Sequence, residues 1–514
     1  SGSGGLAIPN GFPALPCNAP AMPNLKATFT NASYSPKGEL LNLPAIVWSG
    51  SNSWSRAHQA TYDALGRQQY AGVTSGESGS SILRYITYNY SQWSSGIITR
   101  SGSDGSITTV QFDTANRPLY VERKDTTTGV VLMSAAFAYD ALGRLESVTY
   151  GNNASTYFVY NAAHRVTQIR HRDATTGATM LLLEYTYTAD DLPLTITESG
   201  TTTTGATVTY TYDNRSRLTQ EVRTGDSPYS LVYAYDAGGN RTKKIDALTY
   251  APDVLQTEYT YDTSSPATYG SNNNRLVSYA VSRVSSGQVQ TLLSTTWYYY
   301  TLAGNVERVV TKPEASATYT ATRFGYAFNG RTVTFAMGET WDDATVCPPV
   351  NYHIEWAREF RYDGARARYL NRPLNPVALM SGNFVSLGDT WTDYDGDSAY
   401  GDFEVTPGYP PTVANRRSYE PGLAQVDPWM SSGGTATDYV MGDHLGTARG
   451  LIMPNGTGVE PVVYSAFGER ISGTNLRFGY VGSFGYQSHG EFGFLHVGHR
   501  YLAARGESLL TAVV

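Results

Sequence analysis

The stretch that decides the fold is Phe137–Tyr150, FAYDALGRLESVTY. Its aromatic residues Phe137 and Tyr139 are two positions apart, so they share one face of an extended chain. The carboxylate of Asp140 can accept hydrogen bonds from backbone N–H groups just ahead of it. Gly143 supplies a residue for which a positive φ has no steric cost. Because the return segment is rich in Val, Thr and Tyr, the stretch predicts a β-hairpin with a tight turn.

The same Tyr-Asp punctuation recurs along most of the chain. From Asp63 to Asp363 there are 300 residues in 11 steps, about 27 residues a step, and a fixed period in this range is typical of repeat architectures. Many spaced copies are better explained as turn caps than as catalytic carboxylates, since an enzyme needs one site. We expect each tyrosine to pack against the equivalent tyrosine of the next copy. The predicted turn residues are Asp63, Gly66, Asp140, Gly143, Asp213, Asp236, Gly239, Asp262 and Asp363.

Four copies resemble the YD repeats of the RHS family: YDALGR (62–67), YDALGRL (139–145), YDNRSRL (212–218) and YDAGGNR (235–241). That family includes bacterial RHS toxins, the C components of Tc toxins and the teneurins. The resemblance spans roughly residues 60–370. It implies an all-β fold in which a ribbon of YD-repeat hairpins spirals into a hollow shell, closed by an RHS-associated core domain. The residues alone indicate only a repetitive, all-β chain.

A second stretch, near the C-terminus, is similar to the RHS-associated core. Its most specific parts are DHLGTAR (443–449) and YSAFGER (464–470). The Asp-Pro elements that usually end the family core are missing, and so is the variable payload that follows it in toxin members. We therefore expect no catalytic residues and no self-cleavage of the RHS type. The candidate core residues, which we expect to hold a turn, are Asp443, His444, Gly446 and Arg449.

Composition narrows the classes of function. Tyr is abundant at 40 residues and Gly at 51, while charged residues make up only 16%, which suits strands and turns. A net charge of −7 gives no basic stripe and argues against nucleic acid as a partner. The chain has no run of about 20 apolar residues, so no membrane span is predicted. The opening residues SGSGG resemble an added linker and are left out of the fold argument.

The composition shifts along the chain predict four parts. Residues 1–60 are a Pro-rich lead-in that packs over or plugs one end, and residues 61–370 are the YD-repeat shell. Residues 371–436 lose the pattern and form an irregular insertion or transition, and residues 437–514 form the core cap.

The acidic run DYDGDSAYGDFE (393–404) is the one candidate metal site. Its carboxylates fall at positions 1, 3, 5 and 12, which is the spacing of calcium ligands in an EF-hand loop. The glycine expected at position 6 is Ser398, and no flanking helices are predicted, so the alternative is a solvated acidic loop. Calcium is the only cofactor that the sequence suggests, and its candidate ligands are Asp393, Asp395, Asp397 and Glu404.

Cys17 and Cys347 are the only cysteines and lie far apart in sequence. Either they form one long-range disulfide in an exported protein, or they are two buried thiols. A pair of cysteines does not decide between these alternatives.

The resemblance implies a structural function. We expect a secreted or cell-surface shell that encloses or presents a C-terminal payload, which is absent from this sequence. The alternative is an extracellular adhesion module that binds glycans or protein partners through exposed aromatic loops.

Overall fold

A computed structural model describes most of the chain. The described residues are 13, 15–16, 26–28, 32–43, 47–49, 53–77, 80–250, 253–262, 274–285, 288–327, 332–342, 351–362, 367–406, 410–427, 437–458, 461–489, 493–497 and 500–503. Cys17, Cys347 and Asp363 lie outside them, so the disulfide and the last predicted turn stay predictions.

The described chain is almost wholly β-strand. The first strands are β1 (Lys26–Thr28), β2 (Ser33–Tyr34), β3 (Leu40–Leu43), β4 (Val47–Ser49), β5 (Ser53–Tyr62), β6 (Gln68–Glu77), β7 (Ser80–Asn89), β8 (Ile97–Gly102), β9 (Ser106–Phe112), β10 (Pro118–Asp125), β11 (Val131–Tyr139), β12 (Leu145–Tyr150) and β13 (Ser155–Tyr160). The next are β14 (Val166–Arg172), β15 (Thr179–Tyr187), β16 (Pro193–Ser199), β17 (Ala206–Tyr212), β18 (Leu218–Gly225), β19 (Tyr229–Tyr235), β20 (Arg241–Tyr250), β21 (Asp253–Tyr261), β22 (Leu276–Ser285), β23 (Gln288–Tyr300), β24 (Val306–Pro313), β25 (Thr318–Tyr326) and β26 (Val333–Asp342).

The remaining strands reach the C-terminal end of the described chain. They are β27 (His353–Tyr362), β28 (Arg368–Leu374), β29 (Thr390–Asp395), β30 (Ser398–Thr406), β31 (Thr412–Glu420), β32 (Ala424–Val426), β33 (Thr437–Gly442), β34 (Ala448–Ile452), β35 (Val463–Tyr464), β36 (Arg470–Ser472), β37 (Phe494–Val497) and β38 (Arg500–Ala503). The helical elements described are α1 (Pro376–Met380) and two 3₁₀ turns, Trp93–Ser95 and Gly482–Phe484.

Strands β1 to β34 form one antiparallel sheet. From β5 onward each strand pairs with the next in sequence, so the sheet is a continuous ribbon of hairpins. Within the described residues no pairing joins its first strands to its last, and the ribbon is therefore open. The all-β hairpin ribbon predicted from the Tyr-Asp pattern is confirmed.

The turn after Tyr139 shows why the repeat makes hairpins. The N–H of Asp140 donates to the carbonyl of Arg144 at 2.9 Å, and the N–H of Gly143 donates to the carbonyl of Asp140 at 2.9 Å. One Asp140 carboxylate oxygen accepts from the N–H groups of Leu142 and Arg144, each at 2.9 Å. Gly143 has a φ of 82°, a conformation that only glycine adopts without strain. The carboxylate thus satisfies the N–H groups that the tight turn leaves unpaired.

Other residue types take the left-handed position where glycine is absent. Asn116, His164, Asp191 and Ser216 have φ values of 59°, 62°, 65° and 59°. Asn and Asp tolerate this region because their short polar side chains bond locally. The repeat therefore tolerates sequence variation while the backbone stays the same.

The largest described core forms where the ribbon folds back on itself. Buried residues of β10 to β17, such as Leu183, pack against Tyr439 and Met441 of β33 and Ile452 of β34. The last strands thus cover one face of the middle of the ribbon.

Gly143→Ala and Gly239→Ala form a matched pair for testing the turn. Both positions have positive φ, 82° and 92°, so each alanine should cost about 1–2 kcal/mol in backbone strain. A Cβ at position 143 would lie 2.7 Å from Nη1 of Arg117, whereas one at position 239 meets nothing within 4 Å. We expect the larger fall in the urea midpoint for Gly143→Ala. An equal or smaller fall would contradict this account of the turn.

Candidate functional site

The turn arginine links each turn to the next hairpin. In the Asp140 turn, Nε of Arg144 donates to the second carboxylate oxygen of Asp140 at 2.7 Å. The Arg144 guanidinium then lies over the ring of Tyr160, which precedes the following turn, at 4.6 Å. The same stacking distance is 4.4 to 4.8 Å for Arg117 on Tyr139, Arg165 on Tyr187 and Arg217 on Tyr235.

The tyrosine hydroxyl makes a second link to the preceding hairpin. Tyr139 donates to the carbonyl of Pro118 and Tyr160 to that of Leu145, both at 2.8 Å. Tyr212 and Tyr235 make the same bond, at 2.8 Å, to Pro193 and Leu218. The expected packing of tyrosine on tyrosine is therefore wrong for these turns, because an arginine occupies the position next to the ring.

The remaining predicted turn residues vary this arrangement. Asp63 and Asp213 bind Arg67 and Arg217 as Asp140 binds Arg144, and the backbone N–H of Arg67 is the largest cause that holds the pKa of Asp63 below its ordinary value. Asp236 binds the side-chain amide of Asn240 at 2.7 Å instead. Gly66 and Gly239 have φ values of 82° and 92°. The N–H of Asp262 donates to the carbonyl of Arg275 at 2.7 Å.

The core motif DHLGTAR contains the same turn. One oxygen of Asp443 accepts from the N–H groups of Leu445 at 2.9 Å and Thr447 at 3.0 Å, and Gly446 has a φ of 71°. Thr447 takes the place of the turn arginine. The motif is therefore built as one further hairpin of the ribbon, with β33 and β34 as its strands.

Arg449 ties this hairpin to the middle of the ribbon. Its Nη2 donates to Glu198 of β16 at 2.6 Å, and its Nε donates to the carbonyl of Val462 at 2.9 Å. The other Glu198 oxygen accepts from Arg223 of β18 at 2.7 Å. Glu198 and Arg223 are each 1% exposed. Burial alone would raise the pKa of Glu198, but the Arg449 and Arg223 guanidinium groups outweigh it and lower that pKa to about 2.

Two histidines lie in the same contact. His171 of β14 is buried, with Nε2 at 3.1 Å from the carbonyl of Gly442 and Nδ1 at 2.8 Å from the Thr156 hydroxyl. Burial lowers the pKa of His171 to about 4. The His444 ring packs edge-on against Tyr185 of β15, with 4.6 Å between ring centroids.

A buried carboxylate extends this contact toward β35. Glu221 of β18 accepts from the Tyr233 hydroxyl at 2.6 Å and from the backbone N–H of Ala466 at 3.0 Å. We use the name seam for this contact, between β14–β19 and residues 439–471. Burial raises the pKa of Glu221 above its ordinary value.

The predicted calcium ligands are not gathered around one point. Asp393 and Asp395 lie on β29, where Asp393 binds Arg84 at 2.7 Å and Asp395 binds Arg100 and Tyr88. Glu404 lies on the neighbouring strand β30. It follows Phe403, which pairs with Trp391 of β29, and its carboxylate binds Arg416. Asp397 is exposed in the connecting turn.

The calcium site stays a prediction, and the contacts give it no support. Among the described residues no group of three or more His, Cys, Asp and Glu side chains is placed to hold a metal ion. A cation would have to displace the guanidinium groups that bind Asp393 and Asp395. Burial raises the pKa of Asp393, which the Arg84 guanidinium opposes.

Sequence reasoning missed the buried charges of the seam. Glu198 is two residues after buried Ile196, and His171 is two residues after buried Ile169, so each shares a face with a core residue. The two-residue spacing from these isoleucines was the sequence signal that Glu198 and His171 are buried. Their polar side chains favoured the opposite interpretation, an exposed position.

The fold and the repeat have recognisable counterparts. Residues 139–176, which run from one Tyr-Asp turn through the next, match the family model described as RHS Repeat. The chain carries an RHS repeat. The resemblance predicted from the Tyr-Asp punctuation is thereby confirmed. No curated protein sequence matches the chain.

Two solved structures share the architecture of this RHS-repeat chain. The crystal structure of TcdB2-TccC3 aligns with 94% of the chain at 13% identity and a TM-score of 0.54. That of TcdB2-TccC3-Cdc42 aligns with 95% of it at the same identity and TM-score. The alignments cover 26% of those chains, so this chain spans about a quarter of their length. At this identity the likeness shows the fold alone.

The described part of the chain contains no helix long and apolar enough to cross a membrane.

Glu198→Gln tests the buried ion pairs of the seam. The change leaves the Arg449 and Arg223 guanidinium groups facing a neutral amide, so we expect a loss of about 3–5 kcal/mol in the free energy of unfolding, measured with urea. The control is Glu404→Gln, because the Glu404–Arg416 pair is exposed and its loss should change the free energy of unfolding far less.

The pH dependence gives this prediction a second measurement. Since the folded pKa of Glu198 lies at about 2, below its ordinary 4.5, its stabilisation is present above 4.5 and is lost as the pH falls toward 2. Glu198→Gln should lack this loss. Equal costs for the two variants would contradict the assigned role of Glu198.

Proposed function

We propose that this chain is a structural shell element of RHS type, which encloses or presents a C-terminal payload outside the cell or at its surface. Its role is architectural rather than catalytic. The turn aspartates support this, since Asp63, Asp140 and Asp213 are engaged by backbone N–H groups and by arginines. Such carboxylates hold hairpins and have no open position for a substrate.

One observation carries the proposal: the end of the described chain is anchored in the ribbon. Tyr501 of β38 is fully buried and packs with Phe360 and Tyr362 of β27. Phe494 of β37 packs edge-on against Phe324 of β25, with ring centroids 5.4 Å apart. A segment attached after β38 would therefore begin beside β25 and β27, on the face of the ribbon that β37 and β38 cover.

Enclosure by this ribbon requires a further covering element. The described sheet is open, and its last strands already cover β10 to β17. A payload would therefore contact other strands, with its open side covered by additional sequence or by a second molecule. The likeness of fold to TcdB2-TccC3 supports this role.

A protease-site tag tests enclosure. A short peptide that carries a site for a specific protease is appended after Val514, and the control carries the same peptide between Thr127 and Thr128, in an exposed loop. We expect cleavage of the C-terminal tag to be slower by about tenfold or more, as access would require local opening. Equal cleavage rates would reject enclosure and leave presentation or adhesion.

A second candidate, adhesion to a protein partner, is favoured by an exposed apolar cluster. Val377 of α1 is 79% exposed, and Phe384 and Leu387 in the following loop are 50% and 61% exposed. The backbone of this loop is fixed, because the N–H of Asn375 donates to Val385 and that of Leu387 to Pro373, at 2.8 and 2.9 Å. A rigid exposed apolar surface is typical of a protein-binding site.

The double change Phe384→Ser and Leu387→Ser tests the adhesion candidate. If this cluster binds a partner, cell binding of the labelled protein should fall by about tenfold or more. The control is Phe484→Ser, at a phenylalanine outside the cluster that is 74% exposed, more than Phe384. Cell binding that falls equally in both, or in neither, would reject the cluster as the adhesive surface.

A further inference from the structure

Strands β24 to β27 form a groove on one face of the ribbon, with a volume of about 230 Å³. Thr322, Gly338 and Trp356 are register partners across β25, β26 and β27. A second row lies two residues away on the same face, where Thr311, Thr320 and Thr340 are partners across β24, β25 and β26. We use the name threonine groove for the site lined by Thr311, Thr320, Thr322, Thr340, Glu355 and Trp356.

A glycine in the middle of β26 makes room for the indole of Trp356. A Cβ at position 338 would lie 2.2 Å from Nε1 and 2.7 Å from Cδ1 of Trp356, so the indole lies across Gly338. The φ of Gly338 is not in the left-handed region, so space is the reason for the glycine. Glycine weakens a strand interior and often marks a place where a ligand approaches closely.

A β-bulge at the same position turns a carboxylate toward the groove. Gly338 pairs with Trp356 and Glu339 pairs with Ile354, so Glu355 is the extra residue. Consecutive residues of a regular strand lie on opposite faces, yet Glu355 and Trp356 both line the groove. Bulges are typical of positions where a side chain is re-aimed beside a functional site.

The indole is held in place from its own side of the groove. Trp356 packs against the buried cluster that contains Phe360 and Tyr362 of β27, and it is partly exposed where it borders the groove. Glu355 is exposed, and its carboxylate accepts from the Thr340 hydroxyl at 2.8 Å. The apolar and the polar surfaces of the groove are therefore both fixed before a ligand arrives.

The charges of the groove exclude an anionic ligand. Among the described residues no lysine or arginine lines it, whereas Glu355 places a carboxylate at its edge. Glu339 also borders the groove, but its side chain is buried and is engaged by Arg308 and by the Tyr352 hydroxyl. A phosphate, sulfate or carboxylate would meet repulsion here without a compensating cation.

We propose that the threonine groove binds a neutral glycan, with one pyranose ring packed against Trp356. A pyranose has a face of C–H groups, which matches the apolar indole, and a rim of hydroxyl groups. Threonine hydroxyls donate and accept, and the Glu355 carboxylate accepts, so together they match that rim. The volume suits one ring, since it lies below the about 300–1,000 Å³ of pockets for drug-sized ligands. This site is independent of the proposed shell role and of the apolar cluster at α1.

Binding of the labelled full chain to immobilised glycans tests the proposal. The panel contains neutral oligosaccharides of glucose, galactose and N-acetylglucosamine, together with sialylated and sulfated glycans. We expect binding to at least one neutral series, displaced by the same sugar in solution, and no binding to the acidic glycans. Binding to no neutral glycan would overturn the proposal. Displacement by choline and not by the sugar would also overturn it, because it would indicate a cation site on the indole.

Trp356→Ala places the bound glycan in the groove. The change removes the packing surface, so binding should fall by about tenfold or more, while Trp356→Phe, which keeps an aromatic ring, should lose less. The control is Trp93→Ala, at a tryptophan that is 41% exposed and lies outside the groove. An equal fall in Trp356→Ala and Trp93→Ala, or a fall in neither, would contradict the assignment.

A second pair of variants keeps the test decisive if Trp356→Ala does not fold. Thr320 is exposed, so Thr320→Arg should leave the fold intact while its long cationic side chain fills the groove. Its matched control is Thr209→Arg, at an exposed threonine of β17. We expect a loss of glycan binding of about tenfold or more for Thr320→Arg alone. Wild-type binding by Thr320→Arg would overturn the proposal.

Discussion

The ribbon depends on one repeated contact: an aspartate that caps its turn and holds an arginine over the next tyrosine. A two-stranded hairpin is at best marginally stable in water. Arg144 joins the Asp140 turn to Tyr160, and the Tyr160 hydroxyl returns to the carbonyl of Leu145. Each of these exposed ion pairs and cation–π contacts is weak by itself. Because neighbouring hairpins share these contacts, many small terms add along the array, as in other repeat proteins.

The seam is stabilised differently. Its interactions are few, buried and separated by more than 200 residues in sequence, as with Arg449 on Glu198. A buried ion pair is weak evidence for stability, since desolvation offsets much of the Coulomb gain. Its stronger effect is on position, because a shift of β34 by one residue would separate Arg449 from Glu198 and leave a buried guanidinium without its carboxylate. The charged seam therefore sets where the C-terminal strands lie, while apolar neighbours such as Leu183 supply most of the burial.

The difference between these two kinds of contact explains what the sequence could predict. The hydrogen bonds of the Asp140 turn join residues at most four apart in sequence, so residue types alone predict its cap and its left-handed glycine. The stacking of Arg144 on Tyr160 joins two hairpins, and the pattern gave both residues without showing that the arginine lies between successive tyrosines. The contact of Arg449 with Glu198 joins distant parts of the chain, and no local pattern encodes it. At 393–404 the linear spacing does not show that Asp395 and Glu404 lie on two paired strands, β29 and β30, which is a property of the hairpin.

Local and distant contacts also differ in what their loss would do. Strands β11 to β14 pair only with sequence neighbours, so removing residues 477–503 from β27 and β28 breaks none of their hydrogen bonds. A β-sandwich has no such freedom, since its two sheets depend on each other for burial. The ribbon can therefore keep its hairpins while its C-terminal layer changes position. This separation arises because the turn contact of Arg144 with Asp140 and the contacts of Arg368 with Tyr501 and Gln487 share no residues.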